Sequence, residues 1–302
     1  LVATGLHRPN VGDELAELVG DRWVMENFRI ENHFARDDAA HVALGQTKSG
    51  TVVRLDKRFV SADLRIATGL VEPHFMAGWS GGRKVIAPGV AHAETITTFH
   101  SARFMEQPTC DNCILDGNPL HAEQLEIVAM LGDIQAVNVV IDEERRISLA
   151  NFGEVVESHL KAVDHVRDYA EVGVKERFAT VVTSAAGYPL DKTYYQTIKG
   201  MVGPLDIIAP GGTLVIASAC SEGMGSDEYI NSQRNLIARG AEQFLRDIEN
   251  KSHAAVDEWQ TEMLLKPLRI GQVKLYTDGL SPEEHDLTGV IKIDSIADAV
   301  AQ

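Results

Sequence analysis

The chain has 302 residues and a formal net charge of −16, with 44% hydrophobic and 24% charged residues. This balance is ordinary for a globular protein, and the length allows about two domains. No apolar run approaches the roughly 18 residues that a membrane helix needs. The acidic balance offers no basic stripe, which argues against nucleic acid as a partner. An anionic substrate would therefore have to be attracted by local positive charge.

The first residues and the cysteines indicate the compartment. The start, residues 1–5, has neither a charged region nor a small-residue cleavage site, so it is not a signal peptide. It resembles the end of a strand entering a glycine turn, and we expect the native protein to continue upstream. Cys110, Cys113 and Cys220 form an odd, sparse set that favours a reducing cytoplasm. We interpret the CxxC at 110–113 as incidental thiols on a surface turn.

Short β-rich runs alternate with longer amphipathic stretches, which predicts an α/β fold. In chain order the predicted elements are helix 11–25, strands 51–60 and 64–69, helices 91–105 and 118–131, strand 136–141, helix 154–171, strand 178–183, helix 193–201, strand 213–218 and helix 230–248. Asn118 is a plausible N-cap, with Pro119 at the first helical position.

The polar-faced helix 154–171 resembles a connector, so we predict a domain junction near Val172. The N-terminal domain would cover residues 1–171 and be completed by 282–302. A Rossmann-like α/β domain would cover 172–281. Because α/β proteins usually bind ligands at the carboxyl ends of strands, we expect an active-site cleft between the two domains.

The segment from Gly69 to His100 carries the densest chemistry. In Ser80-Gly81-Gly82-Arg83-Lys84, the glycines allow backbone N–H groups to approach an anion, and Arg83 suits a phosphate. The loop alone is a weak signal, because a tight turn with solvated charges has the same composition. Lys84 precedes an apolar run and could serve as a nucleophile or covalent anchor, or be an ordinary surface lysine.

Three histidines and one helix complete the candidate set. His74 and His100 flank the glycine–lysine loop, and an imidazole serves as a nickel or zinc ligand or as a general base. His7 lies on a predicted strand-to-helix loop, where catalytic groups commonly sit. From residue 193 onward, helical spacing would place Tyr195, Gln196 and Lys199 on one face, which suits a carboxylate. Read one at a time, each also has an ordinary structural interpretation.

Taken together, these clusters closely resemble the nickel-dependent lactate racemase family. The matching stretches occur in the family's order and are ATGLHRPN, GLVEPHFMAGWSGGRK, ETITTFH, YYQTIKG, ASACSEGMG and VDEWQ. The resemblance implies a racemase or epimerase that interconverts stereoisomers of a small, lactate-like 2-hydroxy acid. It implies a nickel-pincer nucleotide as cofactor, cofactor-biosynthesis proteins as partners, and a further family segment upstream of residue 1. Which 2-hydroxy acid is used, and the oligomeric state, are left open.

The resemblance also implies roles for individual residues. Lys84 would be joined covalently to the cofactor, and His100 would ligate the nickel. His7 and His74 would be the two acid/base histidines, one on each face of the substrate. The remaining roles are cofactor contacts by Ser80, Gly81, Gly82 and Arg83, and substrate contacts by Tyr195, Gln196, Lys199 and Trp259.

Two other classes of function compete with this interpretation. In the first, Lys84 forms a Schiff base in an aldolase-like or pyridoxal-phosphate-type enzyme, which borohydride would trap. In the second, the chain binds a nucleotide or hydroxy acid without turnover. The set of His7, His74 and His100 argues against a mere binding protein, because binding alone does not require two bases and a metal ligand.

Overall fold

The computed structural model describes residues 1–301. The helices are α1 Asp13–Val19, α2 Arg22–Asn27, α3 Lys57–Val60, α4 Arg83–Ile86, α5 Ala93–Phe99, α6 Ala102–Met105, α7 Pro119–Ala129, α8 Val155–Ala170, α9 Tyr194–Val202, α10 Asp227–Arg239, α11 Ala241–Glu249, α12 Glu258–Ile270, α13 Pro282–Asp286 and α14 Ile296–Ala301. The strands are β1 His41–Gln46, β2 Val52–Asp56, β3 Ile66–Leu70, β4 Pro73–His74, β5 Gly78–Trp79, β6 Gln135–Ile141, β7 Ile147–Glu154, β8 Phe178–Ser184, β9 Ile208–Ala217, β10 Gln272–Tyr276 and β11 Ile291–Lys292.

The chain divides into two units of contacting residues. Of the described residues, the first contains 1–99 and 107–171, and the second contains 100–106 and 172–301. The prediction that residues 282–302 complete the first domain is wrong for the part that the structure describes. Strand β11 pairs in parallel with β10, and α14 packs on β9, so this segment extends the second unit. The prediction also missed that residues 100–106 leave the first unit.

The first unit contains a mixed sheet covered by a helix. The strand order is β3-β6-β7, with β3 parallel and β7 antiparallel to β6. Helix α8 packs on β6 and β7 through Ala162, Val163 and Val166, which form a buried cluster with Trp79 and Val140. The alternation of buried and partly buried positions along β6 explains why its sequence predicts a strand. Two antiparallel pairs, β1–β2 and β4–β5, lie outside this sheet.

The second unit is built on a parallel sheet with the order β11-β10-β9-β8. Its central strand β9 buries Leu214, Val215 and Ile216, as expected for strands covered on both faces. In register, Ala217 lies opposite Ser184 of β8 and Tyr276 of β10, so three strands reach the same edge with their carboxyl ends. This confirms the predicted α/β class. Among residues 1–301, no helix combines the length and apolar character that crossing a bilayer requires.

Candidate functional site

His74 lies in the β4–β5 hairpin of the first unit. Its Nδ1 atom accepts hydrogen bonds from the backbone N–H groups of Met76 (3.2 Å) and Ala77 (3.1 Å). The half-buried ring also packs against Phe75, with 5.1 Å between ring centroids. Because Nδ1 is used as an acceptor, the neutral ring carries its hydrogen on Nε2. The hairpin therefore fixes both the orientation and the tautomer of the imidazole.

Ser80 closes the base of this hairpin. Its hydroxyl donates to the carbonyl of Leu70 (2.8 Å) and accepts from the N–H of Glu72 (3.0 Å). The backbone N–H of Ser80 also donates to the carbonyl of Glu72. The residue predicted to contact the cofactor thus ties the end of β3 to the start of the glycine turn. It places the His74 hairpin directly before α4.

The glycine turn is closely packed against the protein interior. Gly81 and Gly82 have φ angles of 75° and 49°, which side chains rarely adopt. A Cβ on Gly82 would lie 2.6 Å from the Cβ of His159. The N–H of Gly82 donates to Oδ1 of the buried Asn138 at 3.1 Å. Both glycines are therefore explained by the turn and its packing, and the Gly82 N–H already has a protein acceptor.

Arg83 is fully buried and differs from its predicted role. Its guanidinium donates to the carbonyls of Ala77 and Trp79, each at 2.9 Å, and its Nε donates to Nδ1 of His121 at 2.9 Å. Nη1 also lies 2.8 Å from Nε2 of His159. The structure thus contradicts the prediction that Arg83 pairs with a phosphate, because the guanidinium is enclosed by protein acceptors. The guanidinium instead holds the β4–β5 hairpin through the carbonyls of Ala77 and Trp79.

Burial shapes the charges around this arginine. Burial lowers the pKa of Arg83 to about 9. It also lowers the pKa of His121 to about 4 and that of His159 to about 3, and the charge of Arg83 adds to both shifts. Both imidazoles are consequently neutral near pH 7, and His121 accepts from the guanidinium through Nδ1. Nε2 of His159 lies near both Arg83 and the carbonyl of Ser80 (2.9 Å), and its tautomer decides which of the two it bonds. Sequence reasoning left these two histidines without a role.

Lys84 lies in the short helix α4 and is half-buried. Its N–H donates to the carbonyl of Gly81, and its carbonyl accepts from Gly89. The carbonyl of Gly89 in turn accepts from the N–H of Gly5 at 2.9 Å. Gly5 belongs to the turn that presents His7, whose side chain is exposed. The His7 loop is therefore attached to the segment that leaves the Lys84 helix.

A buried histidine that the sequence did not single out braces the same loop. The ring nitrogens of His33 lie 3.2 Å from Asp56 Oδ2 and 3.0 Å from the carbonyl of Ala91. The hydroxyl of Thr4 donates to the carbonyl of His33 at 2.8 Å. Although burial raises the pKa of Asp56, hydrogen bonds from Arg58 and His33 outweigh it and lower that pKa to about 2. An ionised Asp56 thus holds His33, and His33 holds the His7 loop.

In the second unit, α9 begins beside the loop that follows β9. The side chain of Thr193 caps the helix by accepting from the N–H of Gln196. The N–H groups of Tyr194 and Tyr195 donate to the carbonyls of Gly223 and Met224. Its buried face consists of Tyr194, Thr197, Ile198, Met201 and Val202. The other face presents the predicted residues, with Tyr195 and Gln196 half-buried and Lys199 exposed.

Tyr195, Trp259 and His100 form one aromatic cluster in the second unit. The indole Nε1 of Trp259 donates to the hydroxyl of Tyr195 at 3.3 Å, and the side chain of Gln260 donates to the Tyr195 carbonyl at 2.7 Å. The buried imidazole of His100 lies 5.0 Å from the Trp259 ring, at an interplanar angle of 43°. Burial, with the nearby charge of Asp257, raises the pKa of Tyr195, so its hydroxyl stays protonated.

The structure therefore gathers the predicted residues into two groups. The first unit holds His7, His74, Ser80, Gly81, Gly82, Arg83 and Lys84, and the second holds His100, Tyr195, Gln196, Lys199 and Trp259. Within residues 1–301, no three His, Cys, Asp or Glu side chains are grouped so that they could hold a metal ion.

Comparisons with known proteins agree with this two-unit α/β architecture. The family model for the lactate racemase N-terminal domain matches residues 1–111, and the model for the lactate racemase C-terminal domain matches residues 174–302. The chain belongs to the lactate racemase family. It is 31% identical over 293 residues to a lactate racemase of Thermoanaerobacterium thermosaccharolyticum, and 30% identical over 285 residues to one of Lactiplantibacillus plantarum. Each alignment covers 94% of this chain and 66% of the relative, so the chain spans about two thirds of their length.

Solved structures give the same result for the fold. The lactate racemase apoprotein from T. thermosaccharolyticum superposes with a TM-score of 0.92 at 30% identity, over 99% of this chain and 71% of that one. A crystal structure of a protein from Thermotoga maritima superposes with a TM-score of 0.69 at 17% identity, over 97% and 78% of the two chains. The second likeness concerns the fold alone.

Proposed function

We propose that the chain catalyses the interconversion of the stereoisomers of a small 2-hydroxy acid, with lactate as the first substrate to test. One observation carries the proposal: the His74 hairpin, the Lys84 helix and the His7 loop are joined to one another within the first unit by hydrogen bonds of the backbone and of the Ser80 hydroxyl. A binding function alone does not require two imidazoles on segments that are both tied to one lysine-bearing helix. Similarity to the lactate racemases supports the same function.

The donor set fits the nickel-pincer nucleotide that the family resemblance implies. Lys84 offers a half-buried amine for covalent attachment, and His100 offers a buried imidazole, a good nickel ligand. The chemistry that this group supplies when bound is reversible acceptance of hydride, for which side chains have no equivalent. We assign Lys84 to the linkage and His100 to the metal. Arg83 is not assigned to the nucleotide phosphate.

The protein's own part in the reaction is to move a proton and hold a carboxylate. We assign His7, exposed on its loop, to accept the hydroxyl proton in one direction. His74, with its hydrogen on Nε2, presents a donor to the substrate oxygen. Interconversion of mirror images needs an acid/base group on each face, and the two exchange roles in the reverse direction. Gln196 and Lys199 supply an amide and an ammonium for the substrate carboxylate.

Loaded protein and single enantiomers test this function. The chain is produced in cells that also contain the cofactor-biosynthesis proteins, and its intact mass and nickel content are measured. It is then incubated with one enantiomer of lactate, malate or phenyllactate, and the product is separated on a chiral column. We expect a mass adduct that K84A abolishes, and racemisation that H74A and H7A each abolish. H253A, which changes an exposed histidine, is the matched control.

The competing functions predict different results. Constant enantiomeric purity of every acid, from protein that carries both the adduct and nickel, would refute the racemase. Borohydride trapping of a carbonyl ligand on Lys84, without nickel, would indicate a Schiff-base enzyme. Thermal stabilisation by a hydroxy acid without turnover would indicate a binding protein.

A further inference from the structure

A buried and a half-buried carboxyl group lie close to each other in the second unit. Glu262 lies on α12 and is 1% exposed, and Glu106 directly follows α6. The Oε1 atoms of both residues are buried and meet no N–H or O–H donor within residues 1–301. The charge of Glu106 nevertheless acts on the carboxyl group of Glu262, and α6, which ends directly before Glu106, packs on α12, so the two side chains are neighbours. Oε2 of Glu106 accepts from Arg269 at 2.8 Å.

A single proton would satisfy this pair. Two ionised carboxylates in contact repel each other, whereas a carboxylic acid donates a strong hydrogen bond to a carboxylate. Arg269 favours the charge on Glu106, so the hydrogen belongs on Glu262. Burial raises the pKa of Glu262 well above its ordinary value, and the charges of Glu106 and Glu258 act in the same direction, while Lys266 opposes them.

The pair lies where the His100 segment is attached. Residues 100–106 belong to the second unit, and α6 packs on α12. Helix α12 thus holds the segment at both ends: Trp259 lies against the imidazole of His100 at one end. At the other end, Arg269 donates to Glu106, and Glu262 lies beside Glu106. Residues spaced by three lie on the same side of a helix. The carboxyl pair and the aromatic contact therefore act on the two ends of one short segment.

We propose that Glu262 is a positioning residue for His100. Its carboxylic acid donates a hydrogen bond to the Arg269-bound carboxylate of Glu106, and this fastens residues 100–106 to α12 with the imidazole beside Trp259. The role of His100 as a nickel ligand rests on the function proposed above, but the attachment itself does not. Glu262 would then act through His100 and would touch neither substrate nor cofactor.

The test follows the Trp259 ring by ¹⁹F NMR in protein labelled with 5-fluorotryptophan. The three tryptophan resonances are assigned with W23F, W79F and W259F, and H100A gives the Trp259 shift that results from loss of the imidazole. E262Q keeps a donor for Glu106, whereas E262M keeps the size and removes it. We expect E262Q to retain the wild-type Trp259 shift and E262M to move toward H100A. In cofactor-loaded cells we expect E262M to lose about 10-fold in nickel affinity.

Two outcomes would overturn the proposal. In the first, the Trp259 resonance of E262M stays at the wild-type shift; in the second, that of E262Q moves toward the H100A shift together with E262M. Should E262M fail to fold, a pH titration decides instead. Raising the pH should shift the Trp259 resonance of the wild type further than that of E262Q, because only the wild type loses the shared proton, whereas His100 faces Trp259 in both proteins and contributes equally to both. A wild-type shift that E262Q reproduces would contradict the role of Glu262. Because the NMR readout needs no turnover, it stands apart from the test of the racemase.

Discussion

Adding one methyl group to Gly82 should destabilise the first unit much more than the same change in Gly12. The two residues have nearly the same backbone conformation, with φ 49° and ψ −122° at Gly82 and φ 57° and ψ −131° at Gly12. Each also directly precedes a helix. Their surroundings differ, because a Cβ on Gly12 meets nothing within 4 Å, whereas one on Gly82 meets His159 Cβ at 2.6 Å and Cγ at 2.8 Å. The pair therefore separates backbone strain from overpacking.

The magnitudes follow from these distances. A side chain in this backbone region costs about 1–3 kcal/mol, which applies to G12A and G82A alike. Forcing a methyl group into a packed site costs a further 1–3 kcal/mol or so. We therefore expect G82A to lose about 2–6 kcal/mol in unfolding free energy and to exceed G12A by about 1–3 kcal/mol.

The assay is urea unfolding followed at one tryptophan. Trp79 is fully buried in the first unit, so its fluorescence in a W23F/W259F background reports on that unit. Midpoints and slopes of wild type, G12A and G82A are compared by linear extrapolation. Equal unfolding free energies for the two variants would refute the packing that we describe between the glycine turn and α8.

Three further predictions concern charge and pH. Folding keeps a proton on Glu262 that the unfolded chain loses above about pH 4.5. The wild type should therefore lose unfolding free energy relative to E262Q as the pH rises, by up to about 1.4 kcal/mol per pH unit, in urea titrations at several pH values. Folding lowers the pKa of His121 from 6.5 to about 4, so the wild type should lose stability as the pH falls through this range, by up to about 1.4 kcal/mol per pH unit. H121N keeps an acceptor for Arg83 and should lose less stability. Identical pH profiles of the two proteins would contradict this. R83M removes the hydrogen bonds of the guanidinium to the carbonyls of Ala77 and Trp79 and to His121, and should abolish the Lys84 mass adduct even where circular dichroism shows folded protein. An undiminished adduct would show that the hairpin turn does not need the guanidinium.

Local signals accounted for much of the secondary structure. Asn118 caps α7 with Pro119 at the first position, as predicted, because capping depends on neighbouring residues alone. Predicted helices 11–25 and 230–248 are each two helices, broken at Gly20 and Gly240, where φ is 72° and 76°. The hydrophobic periodicity continues through these breaks, so the pattern alone did not reveal them.

Tertiary contacts decided what the sequence did not. Predicted helix 91–105 ends at Phe99 and restarts at Ala102, because the second part packs on α12 of the other unit. Arg83 looked like a phosphate ligand because it follows two glycines, but His121 and His159, its partners, lie 38 and 76 positions away. No local pattern indicates that a cation will be enclosed by imidazoles so distant in the chain. His33 escaped notice for the same reason, since its partner Ala91 lies 58 positions away.

The assignment of residues 100–106 to the second unit has a consequence for recombining relatives. Phe99 and Gln107, on either side, belong to the first unit. A chimera joined only at the Glu171–Val172 crossing would inherit His100 and Glu106 from one parent, and Trp259 and Glu262 from the other. Such hybrids should be more stable when residues 100–106 are exchanged together with the C-terminal half. These two stretches are therefore best exchanged as one block, although some 65 residues of the first unit separate them along the chain.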